Sequence, residues 1–599
     1  MKNRMPFVLL AVMLAVSVGF VGCTSEGVPE ISISNLSISS DGEVLSNDTV
    51  TISVNVRNTG DAQGSYNVVL KIDGIQETSE TVTLGPGNSQ DVTFDVLQQE
   101  VGEHTVSVGN LSGSFSVYPP LEDPDPSYRV GTFYYPWYGN PEFDERWWHW
   151  TQEGATPPDD ISSDYYPVLG AYSVTDPFVV AQHMAWLRRA GIGVIISSWW
   201  GTHSFEDRAV PLLLDMAARY GIKVAFHIEP YTGRSANGVV QDVQYIYERY
   251  GSHPAFFRTT ASTRWSTDNR PKGVFFLWAA ICADFAGGPC PVADSYWQEA
   301  MDTIHSLTEG AIVIGNGGED GAIVSEGHFD GNYNYVTLAE GDELNFDWAL
   351  SVPARSLYVP SVTPGFSARR IGYSEDTYLP RLDGNTYIEQ WSAALAAGIE
   401  PWMVAITSFN EWHEGTQIEP AAENKNDGEG YDYLSYSPLS EDGYLTLTKQ
   451  LSEEFLGLNW TSITSYPVRF EISTTSDFTH LQLVSGGRWG ISDVISVSEE
   501  VEVLQFVDNR ITLIQPIDIA LEGNEVRAVV DMLLVDLSTD ESIVFEIDRG
   551  HLGFTRVVVS ILARETWVVI DDFVWDGIVP GPENILTVEI ASEEIMSPS

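Results

Sequence analysis

Between about residues 128 and 460, the sequence alternates eight times between a short apolar run and a longer amphipathic run. Short apolar runs bounded by turn residues are typical of buried strands, and the amphipathic runs have the period of helices. Repeated strand–helix units favour a parallel sheet covered by helices, and eight units predict a (β/α)8 barrel with enlarged loops. The predicted strands are Val130–Pro136, Gly193–Ser198, Lys223–Glu229, Gly273–Ala279, Ala311–Gly315, His328–Tyr335, Tyr358–Thr363 and Met403–Asn410. The predicted helices are Phe178–Ala190, Ala209–Tyr220, Val239–Tyr250, Ser295–Leu307, Thr386–Ala397 and Leu445–Leu458.

The regions on either side of this segment show no helical period. Residues 30–118 contain short alternating strands separated by turns, which predicts an immunoglobulin-like β-sandwich. Residues 119–127 are rich in proline and predict a stiff linker. Residues 466–599 return to strand alternation and predict a second β-sandwich, either a carbohydrate-binding module or an inert structural one. We therefore predict a multidomain protein in which a (β/α)8 barrel of residues 128–460 is flanked by two β-sandwiches.

The first 23 residues resemble the signal peptide of a bacterial lipoprotein. Lys2 and Arg4 precede an apolar run that is too short for a comfortable membrane span and that ends at Cys23. We expect Cys23 to be the lipidated first residue of an exported protein, anchored in a bacterial membrane at the cell surface or in the periplasm. An ordinary secretory signal with an incidental cysteine is the alternative. In an oxidising compartment, Cys282 and Cys290 can pair and close a short surface loop.

Charge and aromatic content narrow the range of partners. The chain has 30 Lys+Arg against 84 Asp+Glu, and its net charge of −54 disfavours nucleic acids and anionic lipid headgroups. A neutral substrate is favoured, and membrane contact is expected only through the lipid anchor. Of the 18 tryptophans, 15 fall in the predicted barrel. Indole rings stack on the flat faces of sugars, although about half of these tryptophans are expected to fill the core instead. We expect a monomer that acts on an oligosaccharide or a polysaccharide.

Two carboxylates, Glu411 and Glu414, follow the last predicted strand, with Asn410 and His413 beside them. The chemistry of a (β/α)8 barrel lies at the C-terminal ends of its strands. Paired carboxylates are suited to glycoside hydrolysis, in which one protonates the leaving oxygen and the other assists at the sugar. A zinc-protease motif would need a histidine at position 417, which is Gln417. In so acidic a chain, a pair of surface glutamates without a catalytic role is the alternative.

Aromatic and polar residues also follow the first, second, third and sixth predicted strands. His227 and Glu229 are two residues apart in a strand, so their side chains share a face. Because these strand ends meet at one rim of a barrel, we expect their side chains to line the pocket that holds the glutamate pair. The candidate binding residues are Tyr135, Trp200, His227, Glu229, Tyr231, Arg234 and Tyr333.

Seven motifs occur in order along the barrel segment. They are Tyr134-Tyr-Pro-Trp-Tyr-Gly139, Trp148-His-Trp150, Leu169-Gly-Ala-Tyr172, Ala190-Gly-Ile-Gly193, His227-Ile-Glu-Pro-Tyr231, Tyr250-Gly251 with His253-Pro-Ala-Phe256, and Ser408-Phe-Asn-Glu-Trp-His-Glu-Gly-Thr-Gln417. With these motifs the segment resembles glycoside hydrolase family 99, the endo-acting α-mannosidases and α-mannanases. The stretches Val54–Gly60 and Thr83-Leu-Gly-Pro-Gly87 in residues 30–118 resemble CARDB modules.

The resemblance to family 99 implies a role for each matching residue. Glu414 would be the general acid/base, and Glu411 would be a base on the 2-hydroxyl of the scissile mannoside, giving retention through a 1,2-anhydro sugar. Tyr135, Trp200, His227, Glu229, Tyr231 and Tyr333 would line the sugar subsites, and no metal or cofactor would be needed. The implied activity is the cleavage of internal α-mannosidic bonds. A catalytically inactive surface glycan-binding protein, and a hydrolase of another α-glucan or α-mannan linkage, are the alternatives.

Overall fold

The computed structural model describes residues 27–457, apart from 40–41, 123, 284–287, 318–320, 337–345, 347, 350–351, 354, 374–376, 398 and 429. Beyond residue 465 it describes strands between residues 466 and 591, together with residue 595. The predicted signal peptide and Cys23 lie outside the described residues. No helix within these described ranges is long and apolar enough to cross a membrane. The chain divides into two compact units, Met1–Pro120 and Leu121–Ser599.

The first unit is a sheet domain with one hydrophobic core. Its three-stranded sheet contains Ile31–Ile38, Thr49–Asn58 and Ser89–Leu97. Its five-stranded sheet contains Glu43–Leu45, Leu111–Tyr118, Gly102–Val108, Gly64–Ile72 and Ile75–Leu84. Alternate residues of both sheets, such as Val50 and Ile52 from one and Val68 and Leu70 from the other, pack into a single cluster. These strands agree with the strand alternation that the sequence predicts for residues 30–118.

The second unit begins with a parallel barrel sheet. We number its strands in chain order: β1 Ser127–Tyr134, β2 Ile192–Trp199, β3 Lys223–Ile228, β4 Lys272–Leu277, β5 Ala311–Gly315, β6 Gly331–Tyr333, β7 Leu357–Val359, β8 Ser361–Val362 and β9 Val404–Ile406. Hydrogen bonds join them in the order β7-β6-β5-β4-β3-β2-β1-β9-β8. Their inward side chains, among them Phe133, Val194, Phe276 and Ile314, form the barrel core.

The ring of strands closes at Pro360, which interrupts the seventh predicted strand. β7 pairs with β6 on one side of this residue, and β8 pairs with β9 on the other. Proline has no N–H to donate to the ladder, but its carbonyl oxygen still accepts the N–H of Ala405 at 2.9 Å. Since β7 and β8 together occupy one strand position, the nine segments make an eight-stranded (β/α)8 barrel.

The barrel helices begin and end at residues that the sequence marks clearly. Asp176, Ser204 and Ser235 each accept a backbone N–H from the first turn of the helix that follows. Gly221 ends the second of these helices in the left-handed conformation, with φ 75°. The longer helices are Pro177–Arg189, Phe205–Tyr220, Ala236–Tyr250, Gln298–His305, Asn385–Ala396 and Gly443–Gly457.

The last part of the predicted linker packs on the barrel. Arg188 donates from Nε to the carbonyl oxygen of Glu122 at 2.8 Å, and its Nη2 lies 2.5 Å from Asp125 Oδ1. These contacts fix the segment that leads into β1 against the helix before β2.

The strands described between residues 466 and 591 form two antiparallel sheets of five strands each. One contains Tyr466–Thr474, Arg488–Val497, Val526–Val535, Thr555–Ala563 and Thr566–Trp575. The other contains Phe478–Ser485, Val503–Val507, Arg510–Ile514, Ser542–Arg549 and Ile585–Ala591. These strands agree with the predicted alternation, and the stacking of the sheets into a sandwich remains a prediction.

Candidate active site

The loop that carries the glutamate pair leaves the barrel at the end of β9. The N–H of Phe409 donates to the carbonyl oxygen of Phe133 in β1 at 2.9 Å, and the N–H of Glu419 donates back to the carbonyl oxygen of Phe409 at 2.9 Å. The loop is therefore closed on itself at the rim of the barrel. β9 itself ends at Ile406, earlier than the predicted strand Met403–Asn410.

Glu411 is buried, and the backbone of its own loop surrounds it. Its N–H donates to Ser408 Oγ at 2.8 Å, and its Oε1 accepts the N–H of His413 at 3.0 Å. The N–H of Glu414 also donates to this carboxylate. Two backbone donors on one carboxylate stabilise its charged form.

Glu414 accepts a hydrogen bond from the wall of the barrel. Tyr335 donates from its hydroxyl to Glu414 Oε2 at 3.4 Å, and this hydroxyl also forms a short hydrogen bond with the hydroxyl of Tyr135. Asn410 holds the backbone of Tyr135 on both sides, accepting its N–H at 2.7 Å and donating to its carbonyl oxygen at 3.1 Å. Asn410 thus links the glutamate loop to the end of β1.

Burial raises the pKa of both glutamates. The pKa of Glu411 is raised well above its ordinary value, first by burial and then by the charge of Glu414. Burial raises the pKa of Glu414 to about 7. Because each carboxylate disfavours the ionisation of the other, the two titrate as a pair. Near neutral pH the pair can supply one proton and accept another, as acid–base catalysis requires.

His413, His149 and Trp137 form a stacked wall beside the pair. The His149 ring stacks on Trp137 with centroids 4.6 Å apart, and the His413 ring lies 5.9 Å from that of His149. Nε2 of His413 lies within hydrogen-bonding distance, 3.0 Å, of the His149 carbonyl oxygen. Burial lowers the pKa of His413 to about 3 and that of His149 to about 4, so both rings are neutral at neutral pH.

The ends of β2 and β3 contribute a second acidic group. Glu229 is buried and accepts the hydroxyl of Ser198 at 2.7 Å, and that hydroxyl in turn accepts the indole N–H of Trp200 at 3.1 Å. Glu229 Oε1 also lies 3.1 Å from His227 Nδ1. The His227 Nε2 lies 2.7 Å from the Tyr333 hydroxyl. The charge of Glu229 contributes to raising the pKa of both catalytic candidates, which places it in their surroundings.

Tyr231 is oriented by a buried acid. Its hydroxyl donates to Asp242 Oδ2 at 2.5 Å, and burial raises the pKa of Asp242 to about 6. Tyr231 also lies under the backbone of Gly201, where an added Cβ would be 3.7 Å from its ring. Tyr231 therefore lies beside the loop that follows Trp200.

Arg234 does not meet the expectation that it binds substrate. Its guanidinium is buried, and all five of its N–H groups donate to backbone carbonyl oxygens, which leaves none for a sugar. Four of the acceptors belong to the loop after β4 and one to the end of β3: Trp278, Ala279, Cys282, Ala283 and Ile228. Arg234 thus shapes the β4 loop. In that loop Cys282 and Cys290 form a disulfide with Cα atoms 4.3 Å apart.

Several site residues are absent from the sequence-based list. Tyr335 is two residues from Tyr333 and so faces the same side of an extended chain, which was a usable signal. Trp137 and His149 lie in the first two of the seven motifs, but their stacking brings together two distant parts of the loop after β1 and cannot be predicted from their spacing. The described residues contain no group of three or more His, Cys, Asp or Glu side chains arranged to hold a metal ion.

A buried carboxylate pair at the rim of a parallel barrel, walled by aromatic rings, defines a glycoside hydrolase. Comparison with known families agrees: the model of Glycosyl hydrolase family 99 matches residues 126–457, and the chain belongs to this family. The CARDB family model matches residues 29–113, in the first unit.

Curated proteins are similar to more than half of the chain. The chain is 34% identical over 379 residues to the glycoprotein endo-alpha-1,2-mannosidase of Mus musculus, covering 56% of this chain and 76% of that protein. It is 31% identical over 430 residues to a glycoprotein endo-alpha-1,2-mannosidase-like protein of Danio rerio, covering 64% and 91%. A solved GH99 endo-alpha-mannosidase of Bacteroides thetaiotaomicron is 32% identical and aligns with a TM-score of 0.48, covering 55% of this chain and 98% of that one.

Proposed function

We propose that this protein cleaves internal α-mannosidic bonds of mannan or mannose-rich glycans with net retention, through a 1,2-anhydro sugar. The observation that carries the proposal is the buried pair Glu411 and Glu414, whose pKa values are both raised in one aromatic-walled site. The names of the curated relatives, which are endo-alpha-1,2-mannosidases, support mannose as the reacting sugar.

In the first step Glu414 protonates the leaving oxygen while Glu411 removes the proton of the 2-hydroxyl. The C1–O bond to the leaving group breaks as O2 forms a bond to C1, which gives the anhydro sugar. Burial and the charge of Glu414 raise the pKa of Glu411, and its two backbone N–H donors oppose this rise because they favour its charged form. Among the described residues, the Glu414 carboxylate accepts a hydrogen bond only from Tyr335, at 3.4 Å. These contacts support Glu411 as the base and Glu414 as the acid.

In the second step water attacks C1 and opens the three-membered ring. Glu414, now ionised, takes a proton from the water, and Glu411 returns its proton to O2. Two inversions at C1 give net retention. Both carboxylates arise from one short loop, so placing them on opposite faces of the ring, as direct displacement by a carboxylate requires, is unfavourable.

In this proposal the sugar-binding surface consists of the aromatic and polar residues at the strand ends: Trp200, His227, Glu229, Tyr231, Tyr135 and Tyr333. The hydrogen-bonded chain from Trp200 through Ser198 to Glu229 fixes an indole ring and a carboxylate relative to each other. The ring can stack on a sugar face while the carboxylate accepts hydroxyl protons.

A substrate methylated at O2 of the reacting mannose tests the mechanism, because it cannot form the anhydro sugar. We expect the enzyme to bind this compound and not cleave it, and to release the α-anomer first from the unmethylated substrate, as seen by NMR. Hydrolysis of the methylated compound, or a covalent ester on Glu411 trapped by a 2-fluoro analogue, would reject the anhydro pathway.

We also propose that the protein is an exported bacterial lipoprotein anchored through Cys23. The support is the sequence pattern of residues 1–23 alone. Metabolic labelling with a fatty acid should tag the wild-type protein and not Cys23→Ala, and an untagged wild-type protein would reject the anchor.

A further inference from the structure

A groove lined mainly by the loop after β1 has no role in the mechanism above. Its cavity volume is about 540 Å³, and its lining residues are Phe143, Asp144, Glu145, Arg146, Trp148 and Arg208. Five of the six belong to the loop that follows β1, and Arg208 belongs to the helix that follows β2. Both of these segments follow strands that contribute residues to the active site.

The β1 loop is held rigidly. Gly139 and Trp148 pair across its base, with N–H···O distances of 3.2 and 2.9 Å. Asn140 begins a four-residue helix and accepts the N–H groups of Glu142 and Phe143. A loop with these constraints presents its side chains in a fixed arrangement, which lowers the entropy cost of binding a ligand.

Asp144 strengthens the same loop from within the groove. It accepts the hydroxyl of Ser173 at 2.6 Å, the hydroxyl of Thr175 at 2.8 Å and the N–H of Asn140 at 3.1 Å. Its carboxylate is therefore engaged in holding the loop, and Glu145 is the exposed acceptor of the groove.

Two arginines converge on Trp148. The guanidinium carbon of Arg146 lies 3.8 Å from the indole centroid, and that of Arg208 lies 6.0 Å from it. Neither guanidinium forms an ion pair with a carboxylate of the described residues. In a chain with 84 acidic residues and 30 basic ones, two arginines that approach one ring without a carboxylate partner leave their N–H groups available to a ligand.

Phe143 supplies an apolar surface to the groove. It is 43% exposed, so one face of its ring is available to a ligand. The lining therefore combines an aromatic face, several donors and one free acceptor, and its two arginines balance its two carboxylates. This combination suits a neutral, hydroxyl-rich ligand better than an anion.

The groove adjoins the active site. Trp148 directly precedes His149, whose ring stacks on Trp137 at 4.6 Å and whose carbonyl oxygen lies 3.0 Å from His413 Nε2. Because consecutive Cα atoms are about 3.8 Å apart, the backbone of Trp148 lies directly beside the wall residue His149, so one end of the groove is next to the active site.

We propose that this groove is a distal subsite for neutral sugar residues of the glycan, beyond those at the cleaved bond. A sugar face packs on Phe143, and Arg146, Arg208 and Glu145 hydrogen-bond its hydroxyls. The inference rests on the proposed function, since it assumes that the polymer is bound in the cleft.

Phe143→Ala and Arg208→Ala test the subsite, because both side chains are exposed and their loss leaves the core intact. On a long α-mannan we expect KM to rise about three- to tenfold with kcat unchanged. On the shortest oligosaccharide that is cleaved, both constants should stay at the wild-type values. Tyr128→Ala and Arg249→Ala are matched controls, because Tyr128 is 46% exposed and Arg249 is exposed, and neither lines the groove. An equal effect on short and long substrates, or no effect on either, would overturn the subsite.

A binding measurement separates this proposal from the proposed activity. In gels that contain soluble neutral α-mannan, Glu414→Gln should be retarded, and the double variant with Phe143→Ala should be retarded less. If the wild-type enzyme cleaves no α-mannan but this difference is found, the proposed function fails and the subsite stands. Equal retardation, no retardation, or retardation only by a phosphorylated mannan would reject the subsite.

Discussion

The hydrogen bond from Tyr335 to Glu414 predicts the pH dependence of the enzyme. Burial raises the pKa of Glu414 to about 7, and the Tyr335 hydroxyl opposes this rise because it donates to the charged form. Tyr335→Phe removes the donor, so the pKa of Glu414 rises further. A general acid with a higher pKa keeps its proton to a higher pH. The alkaline limb of kcat/KM should therefore move upward.

The distance sets the size of this shift. A hydrogen bond to a charged group contributes about 1.5–3 kcal/mol with good geometry, and about 1.36 kcal/mol corresponds to one pKa unit. The donor and acceptor oxygens here are 3.4 Å apart, well beyond the usual range of about 2.5–2.7 Å for such bonds. We therefore expect a displacement of about half to one pH unit.

The assay measures kcat/KM between about pH 5 and 9, which reports on groups of the free enzyme. An unactivated mannooligosaccharide needs Glu414 to protonate its leaving oxygen, so its kcat/KM profile should show the alkaline limb. The same sugar with an aryl leaving group of low pKa does not need this proton, so its profile should lack the alkaline limb. Tyr333→Phe is the matched control, because Tyr333 is also buried and its hydroxyl lies 2.7 Å from His227 Nε2 and does not contact Glu414. An unmoved limb in Tyr335→Phe, or one displaced to lower pH, would refute the assignment of Glu414 as the acid.

Three further outcomes follow from the site. Glu411→Gln and Glu414→Gln should each lower kcat on unactivated glycans by about 10²–10⁴ with sugar binding retained, and chelators should not affect the wild-type enzyme. Trp200→Ala should raise KM several-fold with little change in Tm, since this side chain is only half-buried; a large fall in Tm with normal kinetics would make it a core residue. Arg234→Met should lower Tm strongly, because unpaired buried carbonyl groups cost about 1–3 kcal/mol each, and an unchanged Tm would contradict the structural role.

The regular parts of the barrel could be predicted because local chemistry decides them. Strands buried on both faces are continuous apolar runs, and all eight strand positions agree with the prediction. The C-terminal ends of the helices Phe205–Tyr220 and Ala236–Tyr250 also agree with the prediction, but both helices begin earlier than predicted, directly after the capping residues Ser204 and Ser235. The interruption of the strand at Pro360 could also have been predicted, because proline has no N–H to donate to the hydrogen bonds between strands.

The roles of individual site residues were harder to predict, because they depend on partners distant in sequence. Arg234 follows a strand end as a sugar-binding residue would, yet four of its five acceptors lie more than 40 residues away, in the β4 loop. Tyr335 and Glu414 are separated by 79 positions. Spacing identifies which residues reach the rim of the barrel, but only the packing of loops decides which of them meet.

Behind the glutamate pair lies a third buried acid, Glu419, at the end of the same loop. Its carboxylate accepts the indole N–H of Trp412 at 2.9 Å and the hydroxyl of Tyr172 at 2.8 Å, and it lies 3.2 Å from His183 Nε2. The Tyr134 hydroxyl lies 3.0 Å from Nδ1 of the same histidine. The acid therefore joins the loop after β9 to β1 and to the helix before β2.

This arrangement explains how a short loop can hold two catalytic carboxylates. Trp412 lies between Glu411 and Glu414, so fixing its indole on Glu419 limits the rotation of the backbone on both sides. Fixing the backbone of one residue costs about 1–2 kcal/mol, and a loop without this anchor would lose that entropy when substrate binds. Because the hydrogen bonds of Glu419 are already formed in the free enzyme, the entropy cost of ordering the loop arises during folding and not during substrate binding. The pair is then preorganised for proton transfer, as positioned general acids and bases require.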